Sequence, residues 1–230
     1  MERTYTVKEK VANWLYYHIW WLVLAGLLAV IFGSMISNRF QLNRQACDYC
    51  ISYVGTAELP ADCVSALTAE LADYGSDVNG DGQVSVKINQ YIVSETAAVS
   101  EYATYGRAAE VALLTDISEG ESYFFLVEYP EEFQKDFQLM AHMDGSPSAE
   151  EDFNVWDKVY RWADCPTLAS LNLGESTDES GAQVDHQTLL ANLYIGRRCF
   201  VTPHVKANLE ENAALWSLLT AGAVLPDQEG

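Results

Sequence analysis

The chain has 230 residues and sets 33 acidic side chains against 13 basic ones, a formal charge of −20. Contact with phosphate needs a basic face, so this balance excludes a nucleic-acid-binding surface. Apolar residues make up 49% and aromatic residues 12%, which excludes a disordered chain and leaves enough material for a core.

The first element is the stretch Trp14 to Ser37, WLYYHIWWLVLAGLLAVIFGSMIS, with no charge from Trp20 to Ile36. As a helix it measures about 36 Å, enough to cross a hydrocarbon core of about 30 Å. Trp14, Tyr16, Tyr17, Trp20 and Trp21 crowd its start, where amphipathic rings sit at the headgroup level. The run is longer than the apolar region of a cleaved signal, and Asn38 to Leu42 offers no small-x-small cleavage site, so an uncleaved single-pass anchor is expected. Arg3, Lys8 and Lys10 precede it and only Arg39 and Arg44 follow closely. The positive-inside bias then puts residues 1–13 in the cytoplasm and the rest outside. Residues 38–46 read as a polar stalk, and 47–230 as one extracytoplasmic domain whose acidity keeps it off an anionic membrane.

Beyond the stalk, 48–54 reads as a strand ended by Gly55, and Pro60 opens a helix to Tyr74 with Val64, Leu67 and Leu71 on one face. Alternation over 84–91 predicts a strand, and 97–118 a kinked helix with Val111, Leu114 and Ile117 inward. The apolar run 123–127 suits a strand covered on both faces. A short helix follows from Pro130 to Phe137, and Trp156, Val159, Tyr160 and Trp162 read as a core aromatic cluster. Residues 144–152 and 174–187 read as loops, 194–201 as a strand and 205–221 as a closing helix. Strands alternating with helices predict an α/β fold, one mainly parallel sheet with helices on both faces.

The segment Asp77-Val78-Asn79-Gly80-Asp81-Gly82-Gln83-Val84-Ser85 fits D-x-[DN]-x-[DN]-G, the oxygen-rich opening of a calcium loop. Asp77, Asn79, Asp81, the Gln83 carbonyl and Ser85 fall at positions 1, 3, 5, 7 and 9 of that pattern, but position 12 is Ile88 where the closing acid belongs. Asp, Asn and Gly also build plain turns, so Ca2+ here is expected to brace structure and not to catalyse. The five cysteines, Cys47, Cys50, Cys63, Cys165 and Cys199, include one C-x-x-C pair, but it opens a strand and not a helix, so structural thiols are expected. Arg197-Arg198 either binds an acidic ligand or pairs with the surplus carboxylates, the latter favoured. His142, His186 and His204 lack transition-metal spacing, and no nucleophile elbow, Walker loop or dinucleotide fingerprint is present.

The anchor YYHIWWLVLAGLLAVIFGS, together with DVNGDGQVSVKINQY, VALLTDISEGESYFFLVEYPEEF and LYIGRR, resembles a family of single-pass membrane-anchored proteins of anaerobic Gram-positive bacteria. The resemblance implies an outer domain patterned like one lobe of an extracellular solute-binding protein. Two lobes and a hinge need more than the 193 residues outside the anchor, which disfavours capture by domain closure. The expectation is a membrane-anchored binding or interaction module for a small molecule or a protein, with Ca2+ as its candidate brace. The alternative is a cell-surface hydrolase whose residues converge only in three dimensions.

Overall fold

A computed structural model describes residues 7–45, 47–93, 103–177, 181–200 and 208–226, and divides the chain into two units, 1–46 and 47–230. The first unit is the helix α1 (Val7–Gln45), which carries the apolar segment and continues through the stretch read as a stalk. Within it Asn13–Gly33 is long and apolar enough to cross a membrane, with mean hydropathy 1.9 and none of that window buried. Trp14, Tyr16, Tyr17, Trp20 and Trp21 are all exposed on it.

The second unit is α/β. Its elements are β1 (Tyr49–Gly55), α2 (Ala61–Ala72), β2 (Val86–Ile92), α3 (Ala103–Glu119), β3 (Phe124–Val127), α4 (Pro130–Phe137) and β4 (Val159–Arg161). A 3-10 turn (Trp162–Asp164) follows, then α5 (Pro166–Ala169), β5 (Glu175–Thr177), β6 (Gln183–Asp185), α6 (His186–Leu190), β7 (Tyr194–Arg197) and α7 (Leu209–Leu219). The central sheet has the order β2-β1-β3-β7-β4. β1 pairs in parallel with both β2 and β3, while β7 is antiparallel to both β3 and β4, so only β7 runs against the other four. The sheet is therefore mixed and mostly parallel.

Because side chains alternate along a strand, successive residues of β3 enter different apolar clusters. Phe124 and Leu126 join Ile51, Tyr53 and Ile195 with Cys63, Leu67 and Leu71 of α2, Leu168 of α5 and Trp216 of α7. Phe125 and Val127 join Tyr91, Leu113 of α3 and Phe133 of α4. The aromatic residues around 156–162 do belong to these cores: Val159 and Trp162 are buried, and Tyr160 meets Trp216 at 6.0 Å between centroids.

Several expectations are corrected here. Val111 and Leu114 of α3 are 63% and 47% exposed, and the buried face is set by Leu113 and Asp116 instead. The apolar pattern misled because a carboxylate, fully hydrogen-bonded, holds an inward position. The 174–187 stretch read as a loop holds the antiparallel pair β5–β6 and the start of α6, N-capped by Asp185, which accepts the Thr188 N–H at 3.0 Å. The strand read at 194–201 ends at Arg197. The helices read at 97–118 and 205–221 begin partly outside the described residues.

Candidate functional site

Because β1 lies between β2 and β3, the chain leaves β1 to one side, then returns past it to form β3. Such a reversal opens a crevice at the carboxyl ends of the strands, the usual ligand position in open α/β sheets. A cleft of about 750 Å³ lies there, within the range of small-molecule sites. Val54 and Gly55 end β1, Val93 follows β2 and Val127 ends β3, and all four line it. Leu113 of α3 with Phe133 and Phe137 of α4 complete an apolar floor, while Glu110, Glu132, Asp136 and Tyr129 form the polar remainder. Those three carboxylates are exposed, and no Lys, Arg or His lines the cleft among the described residues.

The rim is tied together by backbone and side-chain bonds. Val93 N–H donates to Gly55 O at 2.9 Å, and Glu128 N–H to Val54 O at 3.0 Å. Glu128 Oε2 accepts the Thr56 N–H at 2.7 Å and its hydroxyl at 2.9 Å, joining the loops after β1 and β3. Gly55 is required at this edge: a Cβ there would lie 2.6 Å from Cζ of the Tyr53 ring. Glu128 also raises the Tyr129 phenol above its ordinary pKa, chiefly through its charge.

The opposite, amino edge of the sheet holds the 77–85 loop. Asp77 Oδ1 accepts the N–H groups of Gly80 at 2.7 Å and Asp81 at 3.2 Å, and its Oδ2 that of Gly82 at 2.8 Å. Asn79 Oδ1 accepts the Asp81 N–H, and Asp81 Oδ1 the Gln83 N–H, both at 2.9 Å. Ser85 points elsewhere, its hydroxyl donating to Asp48 Oδ2 at 2.9 Å. Asp48 also takes the N–H of Val78, Asn79 and Ser85, which fastens the loop to the start of β1. Sequence reading passed over Asp48 entirely, since nothing local marks a lone Asp before a strand. Among the described residues no three His, Cys, Asp or Glu side chains converge as a metal site. Asp77, Asn79 and Asp81 thus spend side-chain oxygens on N–H groups of the loop itself, and the Ser85 hydroxyl is withdrawn to Asp48.

Under α3 lies a second buried cluster. Asp116 Oδ2 accepts the hydroxyls of Ser52 (2.7 Å), Ser122 (2.8 Å) and Tyr91 (2.8 Å), and its Oδ1 the Ser122 N–H at 3.0 Å. Burial pushes its pKa up, but these donors outweigh it and hold the carboxyl below its ordinary value. Just ahead of β4, Lys158 is fully buried, its Nζ 2.9 Å from Asp152 Oδ2 and 3.0 Å from Asp157 Oδ1. His142 lies between the same two carboxylates, at 3.6 and 3.2 Å.

Among the described residues the adjacent arginines form no carboxylate pair of the kind favoured from sequence. Arg197 donates to the carbonyls of His142 and Met143 and packs over Trp216 at 5.1 Å, while Arg198 donates to Ile117 O at 3.0 Å and lies over Phe125. Alternating strand faces and carbonyl ends, invisible in a linear charge count, captured them. A hydrolase would need a cleft with a histidine beside a Ser, Cys or carboxylate. His142 does lie beside Asp152 and Asp157, but none of the three lines the cleft, and among the described residues no Ser or Cys side chain bonds to His142 or His186. His204 lies outside the described residues. All five cysteines are free thiols.

No protein-family model matches the chain, and neither does any curated protein or solved structure.

Proposed function

We propose that the chain is a membrane-anchored, extracytoplasmic α/β module that binds a small ligand in the cleft at the carboxyl ends of β1, β2 and β3. The observation that carries this reading is the coincidence of that cleft with the reversal of strand order at β1. Right-handed crossovers put α2 and α3 on opposite faces of the sheet, consistent with Leu67 and Leu113 entering different clusters. The exposed apolar helix α1 supports the anchor, and the lysines and arginine before it support the outside location.

The anchor is tested by carbonate extraction, protease treatment of intact cells and N-terminal sequencing of the mature chain. Retention in membranes, loss of the domain to protease and an intact segment before Trp14 are expected; cleavage after Ser37 means a signal sequence. The site is tested by a thermal-shift screen of metabolite classes on the full chain in uncharged detergent, beside Val93→Trp, which fills the cleft. A ligand at 100 times its Kd stabilises by about 2.7 kcal/mol, and Val93→Trp is expected to remove that gain.

A second reading is carried by Asp77, whose carboxylate gathers three loop N–H groups and leaves the loop folded around it. On this reading Ca2+ is held by Asp77, Asn79, Asp81 and the Gln83 carbonyl and braces the amino edge of β2, away from the cleft.

A further inference from the structure

The cleft has an unusual division of labour. Its floor is apolar, with Val54, Leu113, Val127 and Phe133 drawn from β1, α3, β3 and α4. Among the described residues its charged groups are all of one sign: Glu110 from α3, and Glu132 and Asp136 from successive turns of α4. Glu132 and Asp136 are four residues apart on one helix face, where like charges repel each other. A cation between them relieves that repulsion. Tyr129, 53% exposed, and Phe137 add aromatic faces beside these carboxylates, and a ring quadrupole attracts a cation in the same place. The Glu128 carboxylate, already held by Thr56, fixes the loop that carries Tyr129.

Resting on the cleft as the ligand site, we infer that its ligand is a small organic cation, an ammonium or amidinium group on an apolar body. The charged end sits among Glu110, Glu132, Asp136 and Tyr129, and the apolar body lies on Leu113, Val127 and Phe133. An anion meets three carboxylates with no counter-charge among the described lining residues. A bare inorganic cation leaves the apolar floor unused, and the domain's own excess of 31 acidic over 8 basic residues concentrates cations near its surface.

The test is equilibrium dialysis of the full chain in uncharged detergent, with empty micelles as the blank, against three labelled compounds of one shape: phenethylammonium, phenylethanol and phenylacetate. Phenethylammonium is expected to bind at least tenfold more tightly than the other two. The triple change Glu110→Gln, Glu132→Gln, Asp136→Asn touches only exposed side chains. It is expected to weaken the ammonium roughly tenfold, a few-fold per carboxylate, and to leave the alcohol unaffected. Raising salt from about 0.01 to 0.15 M shortens the screening length from about 30 to 8 Å, and should weaken only the ammonium. Equal or tighter binding of the alcohol or carboxylate, blocked by Val93→Trp, overturns the cationic class and leaves the cleft as a site. Ammonium binding indifferent to the triple change, or displaced equally by potassium, places the cation elsewhere and overturns the inference. Binding of none of the three also overturns it, while the metabolite screen on wild type and Val93→Trp decides the cleft independently.

Discussion

The Ser52 hydroxyl of β1 donates to the Asp116 carboxylate of α3 at 2.7 Å, across 64 residues of chain. With Ser122 and Tyr91 bonded to the same oxygen, this one carboxylate pins α3 to β1, to β2 and to the approach to β3, and so positions Leu113 and Glu110 in the cleft. Removing it leaves several buried donors unmet. Asp116→Ala is expected to lower unfolding free energy by about 3 kcal/mol, with Asp116→Asn intermediate, read by chemical denaturation.

The same residue shapes the acid limb of stability. Its folded pKa lies below the unfolded value of about 3.9, so its contribution is complete above that pH and is lost as pH falls through the folded value. Asp152, held down chiefly by its hydrogen bond from Lys158, acts in the same direction. Thermal midpoints should fall steeply below about pH 4 in the wild type and less steeply in Asp116→Asn.

Lys158 is fully buried, whereas its partners Asp152 and Asp157 reach solvent. Losing the lysine strands only partly hydrated carboxylates, but losing both carboxylates strands a buried ammonium. The double change Asp152→Asn, Asp157→Asn should therefore cost about 3–5 kcal/mol and Lys158→Met clearly less. The reverse ranking would show that the ammonium reaches water.

Thiol reactivity should sort by environment. Burial pushes Cys63 up to about 11 and Cys165 up to about 12. Cys47 is lowered, first by a hydrogen bond from the Cys50 thiol and further by Lys87, against an opposing effect of burial. Because the thiolate is the nucleophile, iodoacetamide at pH 7.5 should modify Cys47 ahead of the other four, as mapped by mass spectrometry.

Calcium gives a clean comparison for the 77–85 loop. If Asp77, Asn79 and Asp81 hold Ca2+, excess calcium raises the thermal midpoint by several degrees over chelator or magnesium, and Asp81→Ala removes the rise. Asp48→Ala should loosen the loop with or without metal, speeding hydrogen exchange at Val78, Asn79 and Ser85, whose N–H groups it accepts.

Alternation and helical spacing made most of the architecture legible. Val84 to Tyr91 announced β2, Phe124 to Val127 announced a strand covered on both faces, and Pro130 to Phe137 marked α4 at its observed bounds. The site was not legible. Its lining comes from β1, the end of β2, α3, β3 and α4, and each residue alone is an ordinary Val, Phe or Glu. Asp116 defeated the reading of α3 because periodicity scores apolarity, and a carboxylate satisfied by Ser52, Ser122 and Tyr91 behaves as a core residue. The direction of β7 also escaped, since a strand inserted antiparallel between β3 and β4 carries no local mark.

The most direct test of the account is methyl NMR of the full chain during a ligand titration with phenethylammonium. Shifts confined to Val54, Val93, Leu113 and Val127, and absent in Val93→Trp, are the predicted result. Shifts centred on residues outside this group, with these four methyls unmoved at saturation, would contradict the cleft as the binding site.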